Sequence, residues 1–180
     1  MHKNSQEFLI SVYEDFHLNY PKFYKMDHVS KLGWLASEIL LVNESVVKQV
    51  DPYDIGIVLS NTNSSLDTDI KYLQQLPEFA SPALFVYTLP NIVAGEICIR
   101  NHFKGENAFF ITDDFDPAFT EQYVSGLLDN DLMQLCICGW VEFLKEEYKA
   151  VLFLVGKNPG AESLAFTTEN LQHLFHQHEI

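Results

Sequence analysis

Between Lys104 and Phe119 the sequence reads KGENAFFITDDFDPAF. Two adjacent carboxylates, Asp113 and Asp114, stand where a run of apolar β-formers, Ala108–Ile111, gives way to a helical pattern. A strand that feeds a helix through a tight junction is where many α/β enzymes hold their chemistry. A carboxylate there can act as a general base if its surroundings tune its pKa. Alternatively Asp114 or Asp116 caps the helix and complements its dipole, an effect of about 1 kcal/mol. No partner group is visible beside either acid, which favours the cap.

The other reactive side chains are few. The three cysteines are Cys98, Cys136 and Cys138. Cys98 falls inside a helical pattern, where it reads as a small buried hydrophobe. Cys136 and Cys138 share one face of a strand, and neighbours on one face rarely bond to each other. They read as core or sheet-edge thiols, since C-x-C without a second ligand pair is no zinc site. His173 and His176 lie one helical turn apart, followed by His178. Such a pair can bind metal adventitiously, but no carboxylate motif accompanies it, so a solvated helix end is the simpler reading. No metal and no cofactor is expected. The polar run Asn61–Ser65 reads equally well as a ligand-facing loop or as a plain turn.

The elements that must position these groups alternate. Residues 1–26 mix aromatic and polar side chains around Pro21 and read as an N-terminal extension. Helical spacing runs from Leu32 to Val42, a buried strand from Ile55 to Leu59, and a helix from Leu66 to Leu76, stopped by Pro77. Pro82 and Pro90 bracket ALFVYTL. A helix from Asn91 to Phe103 follows, with Gly95 read as a close-approach position. Then come a strand, Ala108–Thr112, and a helix, Pro117–Leu128, with proline in its first turn. Leu132–Cys138 and Ala150–Gly156 are two further strands, antiparallel because only the charged LKEEYK turn separates them. A last helix, Thr167–His176, follows the Asn158-Pro159-Gly160 turn within a C-terminal segment, 157–180. The expectation is an α/β fold: one domain, 1–180, whose central sheet of about five mostly parallel strands is flanked by helices.

Composition narrows the function. The 180 residues are 47% hydrophobic and 13% aromatic, enough for a real core. With 11 basic against 25 acidic residues, the formal charge is -14. Such a field repels nucleic acid and anionic membrane surfaces. The acidic N-terminus does not resemble a signal peptide, no window approaches a membrane span, and three cysteines suit a reducing, cytoplasmic setting.

The order of residues resembles the N-terminal half of the β-ketoacyl-acyl-carrier-protein synthases, members of the thiolase-like superfamily. In SPALFVYTLPNIVAGEICIRNHFKGEN, residues Pro90, Asn91, Ala94, Gly95, Arg100, Gly105 and Asn107 match that family's pattern. MDHVSKLGWLASEILL resembles the helix before its first core strand, and CGWVEF, Cys138–Phe143, its Gly-rich strand end closed by a Glu. The resemblance covers residues 26–156 in order and implies a thiolase-like half-domain.

The departures from the family pattern decide what the resemblance implies about activity. In that family the strand after the Gly turn ends at a nucleophilic cysteine at the start of a buried helix. Counting along AFFITDD puts Asp114 there, with Asp113 the alternative register, and a carboxylate cannot carry a thioester. The family's two later histidines belong to a C-terminal half without a counterpart here, and His173, His176 and His178 do not restore them. The following helix carries one apolar stripe and one polar face, as expected of a helix covered on a single side.

The expectation is therefore a catalytically inactive ketosynthase-like accessory or structural subunit of acyl-carrier-protein-dependent fatty acid or polyketide-type biosynthesis, with Asp114 a vestigial nucleophile position. By resemblance it pairs with itself or with a full-length ketosynthase through Phe109–Thr112 and the helix Asn91–Phe103. Lys25, Arg100 and Lys104 are the candidate contacts for an acyl carrier protein. The alternative is a divergent acyltransferase or decarboxylase using another cysteine or Asp114. A third reading is a small-molecule-binding module above the first strand.

Overall fold

Patterned this way, the chain builds a four-stranded sheet with helices on both faces. The computed structural model describes residues 4–158, 160 and 163–177. In chain order the elements are α1 (Ser5–Asp15), α2 (His28–Leu41), β1 (Ile55–Asn61), α3 (Leu66–Gln75), α4 (Pro82–Val86), α5 (Ile92–Asn101), β2 (Asn107–Ile111), α6 (Pro117–Asp129), β3 (Leu135–Leu144), β4 (Glu147–Gly156) and α7 (Thr168–His176). The sheet order is β2-β1-β3-β4. β1 runs parallel to β2 and β3, and β3 and β4 form an antiparallel hairpin. Four strands among the described residues stand against the five or so expected.

β1 is buried at every position, as a strand bonded on both edges and covered on both faces must be. Ile57, Leu59, Ile137 and Val141 meet α2 and α5 on one face, together with Leu9, Tyr13, Phe23 and Trp34. Val58, Cys136, Cys138 and Val155 meet Val124, Leu127 and Leu128 of α6 on the other. Residues of the N-terminal extension pack into this core. Tyr13 stacks on Phe23 at 4.4 Å, and Phe23 and Trp34 are fully buried, so the segment closes one wall of the core. Aromatic burial of this kind contributes roughly 2 kcal/mol per ring.

The helix ends follow capping chemistry. Asp27, Asp116 and Thr167 accept the amides of Ser30, Phe119 and Asn170 at the starts of α2, α6 and α7. The proline-bracketed ALFVYTL starts a short helix, α4, capped by Ser81. β3 continues to Leu144, six residues past the expected end at Cys138, because Gly139 keeps the ladder intact.

Glycine placement corrects one expectation. A Cβ at Gly95 would meet nothing within 4 Å, whereas one at Gly33 would lie 2.4 Å from Val93 Cγ2, so Gly33 is the close-approach residue between α2 and α5. Gly139 has φ +143°, and a Cβ there would lie 2.1 Å from the Val151 carbonyl oxygen. Gly139→Ala should therefore lower unfolding stability by about 3 kcal/mol, while Gly95→Ala should leave it unchanged or raise it by up to about 1 kcal/mol. Urea-unfolding midpoints compare the two directly.

Candidate functional site

The junction 111–116 lies between an edge strand and a helix. After Ile111 the chain leaves β2, and Thr112 donates its amide to Asn61 O at 3.0 Å, keeping the turn against the end of β1. Thr112 Oγ1 donates to Asp114 O at 2.8 Å, and Thr62 Oγ1 to Asp113 O at 3.0 Å. These bonds fix the backbone and leave both carboxylates exposed. Asp114 Oδ1 accepts the Phe115 amide at 2.7 Å, and Asp116 Oδ1 accepts Phe119 N at 2.9 Å. Asp116, of the two acids considered, is the helix cap. Among the described residues no histidine, lysine, arginine or thiol bonds to Asp113 or Asp114.

Phe115 turns inward where the acids turn out. Its ring stacks on Phe175 of α7 at 4.5 Å and lies 6.1 Å from Phe153 and 6.4 Å from Trp140. Glu121 of α6 accepts the amide of Thr168 at 2.5 Å and also its hydroxyl, which docks α7 beside α6. The volume beneath the junction is thereby filled with aromatic side chains. On α6 itself, Val124, Leu127 and Leu128 are buried while Gln122 and Asp129 are exposed, the single covered stripe expected.

The remaining candidates are separate from this junction. Cys98 sits on α5, with Asn107 Nδ2 3.7 Å from its sulfur, and burial pushes its thiol up. Cys136 and Cys138 face α6 from β3. Burial pushes Cys136 to about 12 and Cys138 well above the ordinary thiol value, so neither supplies thiolate at neutral pH. His173 and His176 are exposed on α7, His176 within 3.1 Å of Gln172, and His178 lies outside the described residues. No group of His, Cys, Asp and Glu suited to a metal occurs among the described residues.

The polar loop above β1 is satisfied internally. Asn61 bonds the backbone of Ser64 in both directions at 2.9 Å. Glu142 Oε2 accepts the amides of Thr62 and Asn63 at 2.8 and 3.0 Å. The Glu of CGWVEF thus clamps the loop that a ligand would otherwise use. Of the basic residues, Arg100 grips Glu38 Oε2 through Nε and Nη2 at 3.1 and 3.0 Å, and Lys104 lies over the Tyr53 ring.

Sequence reasoning missed a buried polar cluster where α3 joins the body. Asp27 Oδ2 accepts Thr68 Oγ1 at 2.8 Å, and Asp67 Oδ2 lies 3.2 Å from His28 Nδ1 and 2.5 Å from Lys71 Nζ. Asp67 Oδ1 accepts the amide of Lys145 in the β3–β4 turn. The i,i+4 spacing of Asp67 and Lys71 was the one local signal. Burial raises the Asp27 carboxyl despite its hydrogen bonds. Burial pushes Asp67 up as well, but its bonds from His28, Lys71 and Lys145 outweigh this and bring it to about 2.

A mostly parallel sheet with helices on both faces and a strand-to-helix elbow at one edge defines an α/β layered domain. No protein-family model matches the chain, and no curated protein sequence does. Solved structures do match. The ishigamide ketosynthase/chain length factor has a TM-score of 0.63 at 22% identity, over 75% of this chain and 39% of that chain. The ketosynthase ApeO in complex with its chain length factor ApeC, from Xenorhabdus doucetiae, gives 0.62 at 16% identity, over 89% and 73%. A type II polyketide synthase acyl-carrier protein in complex with its ketosynthase, AntDE:AntF, gives 0.56 at 21%, over 73% and 39%. The fold is that of a ketosynthase half-domain, and the chain spans 39% of the length of two of these three matches.

The Asp67 cluster gives a signed pH test. A carboxyl held at about 2 against an ordinary 3.8 stabilises the fold above pH 3.8, and that contribution is lost as pH falls toward 2. Asp67→Asn should lower the melting temperature at pH 7. It should also flatten the wild-type loss of stability between pH 4 and 2, read by thermal melts across that range.

Proposed function

We propose that this chain is a catalytically inactive ketosynthase-like subunit, an accessory or structural component of acyl-carrier-protein-dependent fatty acid or polyketide-type biosynthesis in the cytoplasm. The observation that carries the reading is the elbow. In this reading Asp114, or Asp113 in the alternative register, stands where the count along AFFITDD puts the nucleophile; both side chains are exposed, and Phe115 stacks on Phe175 behind them. Condensation needs a sulfur that can hold an acyl group and a pocket that can receive it. Neither feature is present at this turn. The three thiols are free, and burial raises the pKa of each, which further supports a non-catalytic role.

Two features support pairing with a full-length ketosynthase or a second copy. β2 is an edge strand with Ile111 exposed, and an open apolar edge favours a partner strand. The segment from α3 to the start of α5 also leaves Leu73, Leu76, Phe79, Phe85 and Leu89 exposed, more apolar surface than an isolated segment normally shows. Carrier-protein contact through Arg100 would require that side chain to leave Glu38, which already holds it.

Incubation with an acyl-loaded carrier protein followed by intact-mass analysis tests the reading. The wild type should gain no acyl group, and Asp114→Cys should also stay unmodified because the aromatic side chains occupy the receiving space. An acyl adduct on Cys98, lost in Cys98→Ser, would establish an acyltransferase instead.

A further inference from the structure

The elbow sits at one end of β1, and the other end of that strand borders a hollow of different character. Near Ile55, about 20 Å along the strand from Asn61, a space of about 520 Å³ opens between residues 44–52 and the ends of α2 and α5. Its floor is apolar. Ile55 and Phe103 are buried there, and Leu41, Val47 and Val50 pack partly buried against the same core. Its outer wall carries Lys48, Arg100 and His102. Lys48 and His102 are exposed, and among the described residues neither side chain bonds to a partner. Arg100 is fixed from behind, since Glu38 Oε2 accepts its Nε and Nη2 at 3.1 and 3.0 Å, and Nη1 bonds to nothing among the described residues. An apolar floor with a few convergent polar groups is the usual form of a small-molecule site.

The charges around this hollow limit what it can take. Lys48 and the free edge of Arg100 favour an anion. Glu44 lines the same space, as do Leu41 and Asn101, the last residues of α2 and α5, and helix C-termini carry partial negative charge. One negative charge is matched in such surroundings and a second is not. We propose that this hollow binds a monocarboxylate with an aliphatic body. Lys48 Nζ donates to the carboxylate, with the edge of Arg100 turned away from Glu38 beside it, and the chain lies on Ile55, Phe103, Val47 and Val50. Arg100 keeps its bonds to Glu38 throughout. The site is separate from the elbow, and neither reading depends on the other.

Isothermal titration calorimetry of the full chain at pH 7 with octanoate, octanol and octyl phosphate tests this. Octanoate should bind saturably at one site and octanol about tenfold more weakly. Octyl phosphate, with about 1.5 to 2 negative charges at this pH, should also bind more weakly than octanoate. Lys48→Glu should weaken octanoate at least about tenfold and leave the melting temperature unchanged, because Lys48 has no bonded partner to lose. Glu44→Gln should tighten octyl phosphate about threefold. Val47→Trp, which fills the hollow, should remove binding of octanoate and octanol alike. The proposal is overturned if octanoate does not saturate, or if octanol or octyl phosphate binds as tightly as octanoate. It is equally overturned if Lys48→Glu, Val47→Trp or Glu44→Gln leaves these affinities as in the wild type.

Discussion

The seating of one ring, Phe115, governs what the elbow can do. A strand-to-helix turn offers its side chains alternately to solvent and to the layer beneath, and here the inward position is aromatic. Its stack on Phe175 ties the turn to α7, and its neighbours Trp140 and Phe153 tie it to β3 and β4. Interiors are close-packed, so a turn anchored on four aromatic side chains cannot open a chamber for an acyl chain without unpacking that face of the sheet. The carboxylates beside it are left to water and to backbone duty.

The same geometry explains why the sulfur atoms offer no substitute. Cys136 and Cys138 lie under α6 in the most buried strand pair of the sheet, where a thiolate has neither solvent nor a cation to stabilise it. Cys98 is more accessible but sits in the body of α5, away from the helix start that would favour its charged form. A reactive ketosynthase-type sulfur sits at a helix start, whereas Cys98 lies in the body of α5 and Cys136 and Cys138 lie on β3.

Much of the fold was legible because its signals are local. β1, α5, β2 and α6 were read within about two residues, from apolar runs punctuated by Gly, Pro and Asp. The path of β3 beyond Gly139 was not legible, since a glycine inside an apolar run reads as an end until the neighbouring strand is known to pass within van der Waals range. The walls built by residues 4–26 were hidden for a related reason. Their aromatic side chains show no clean period and acquire meaning only against Trp34. At the site, the strand-to-helix turn was visible in the passage from AFFI to the proline-led helix, and the cap was narrowed to Asp114 or Asp116. The cluster of Asp27 and His28 with Asp67 and the Lys145 amide, by contrast, joins three distant stretches of chain, and no spacing rule foretells such a meeting.

Arg100 is the chain's single arginine, and its side chain is only half-buried. Its guanidinium lies 5.3 Å from the Tyr20 ring centroid and 5.8 Å from that of Trp34, with both forked nitrogens committed to Glu38. A guanidinium held between aromatic planes and a carboxylate acts as a rivet between α2 and α5. A two-pronged arginine grip on a phosphate-bearing visitor would therefore require Arg100 to let go of Glu38, or a guanidinium from another polypeptide.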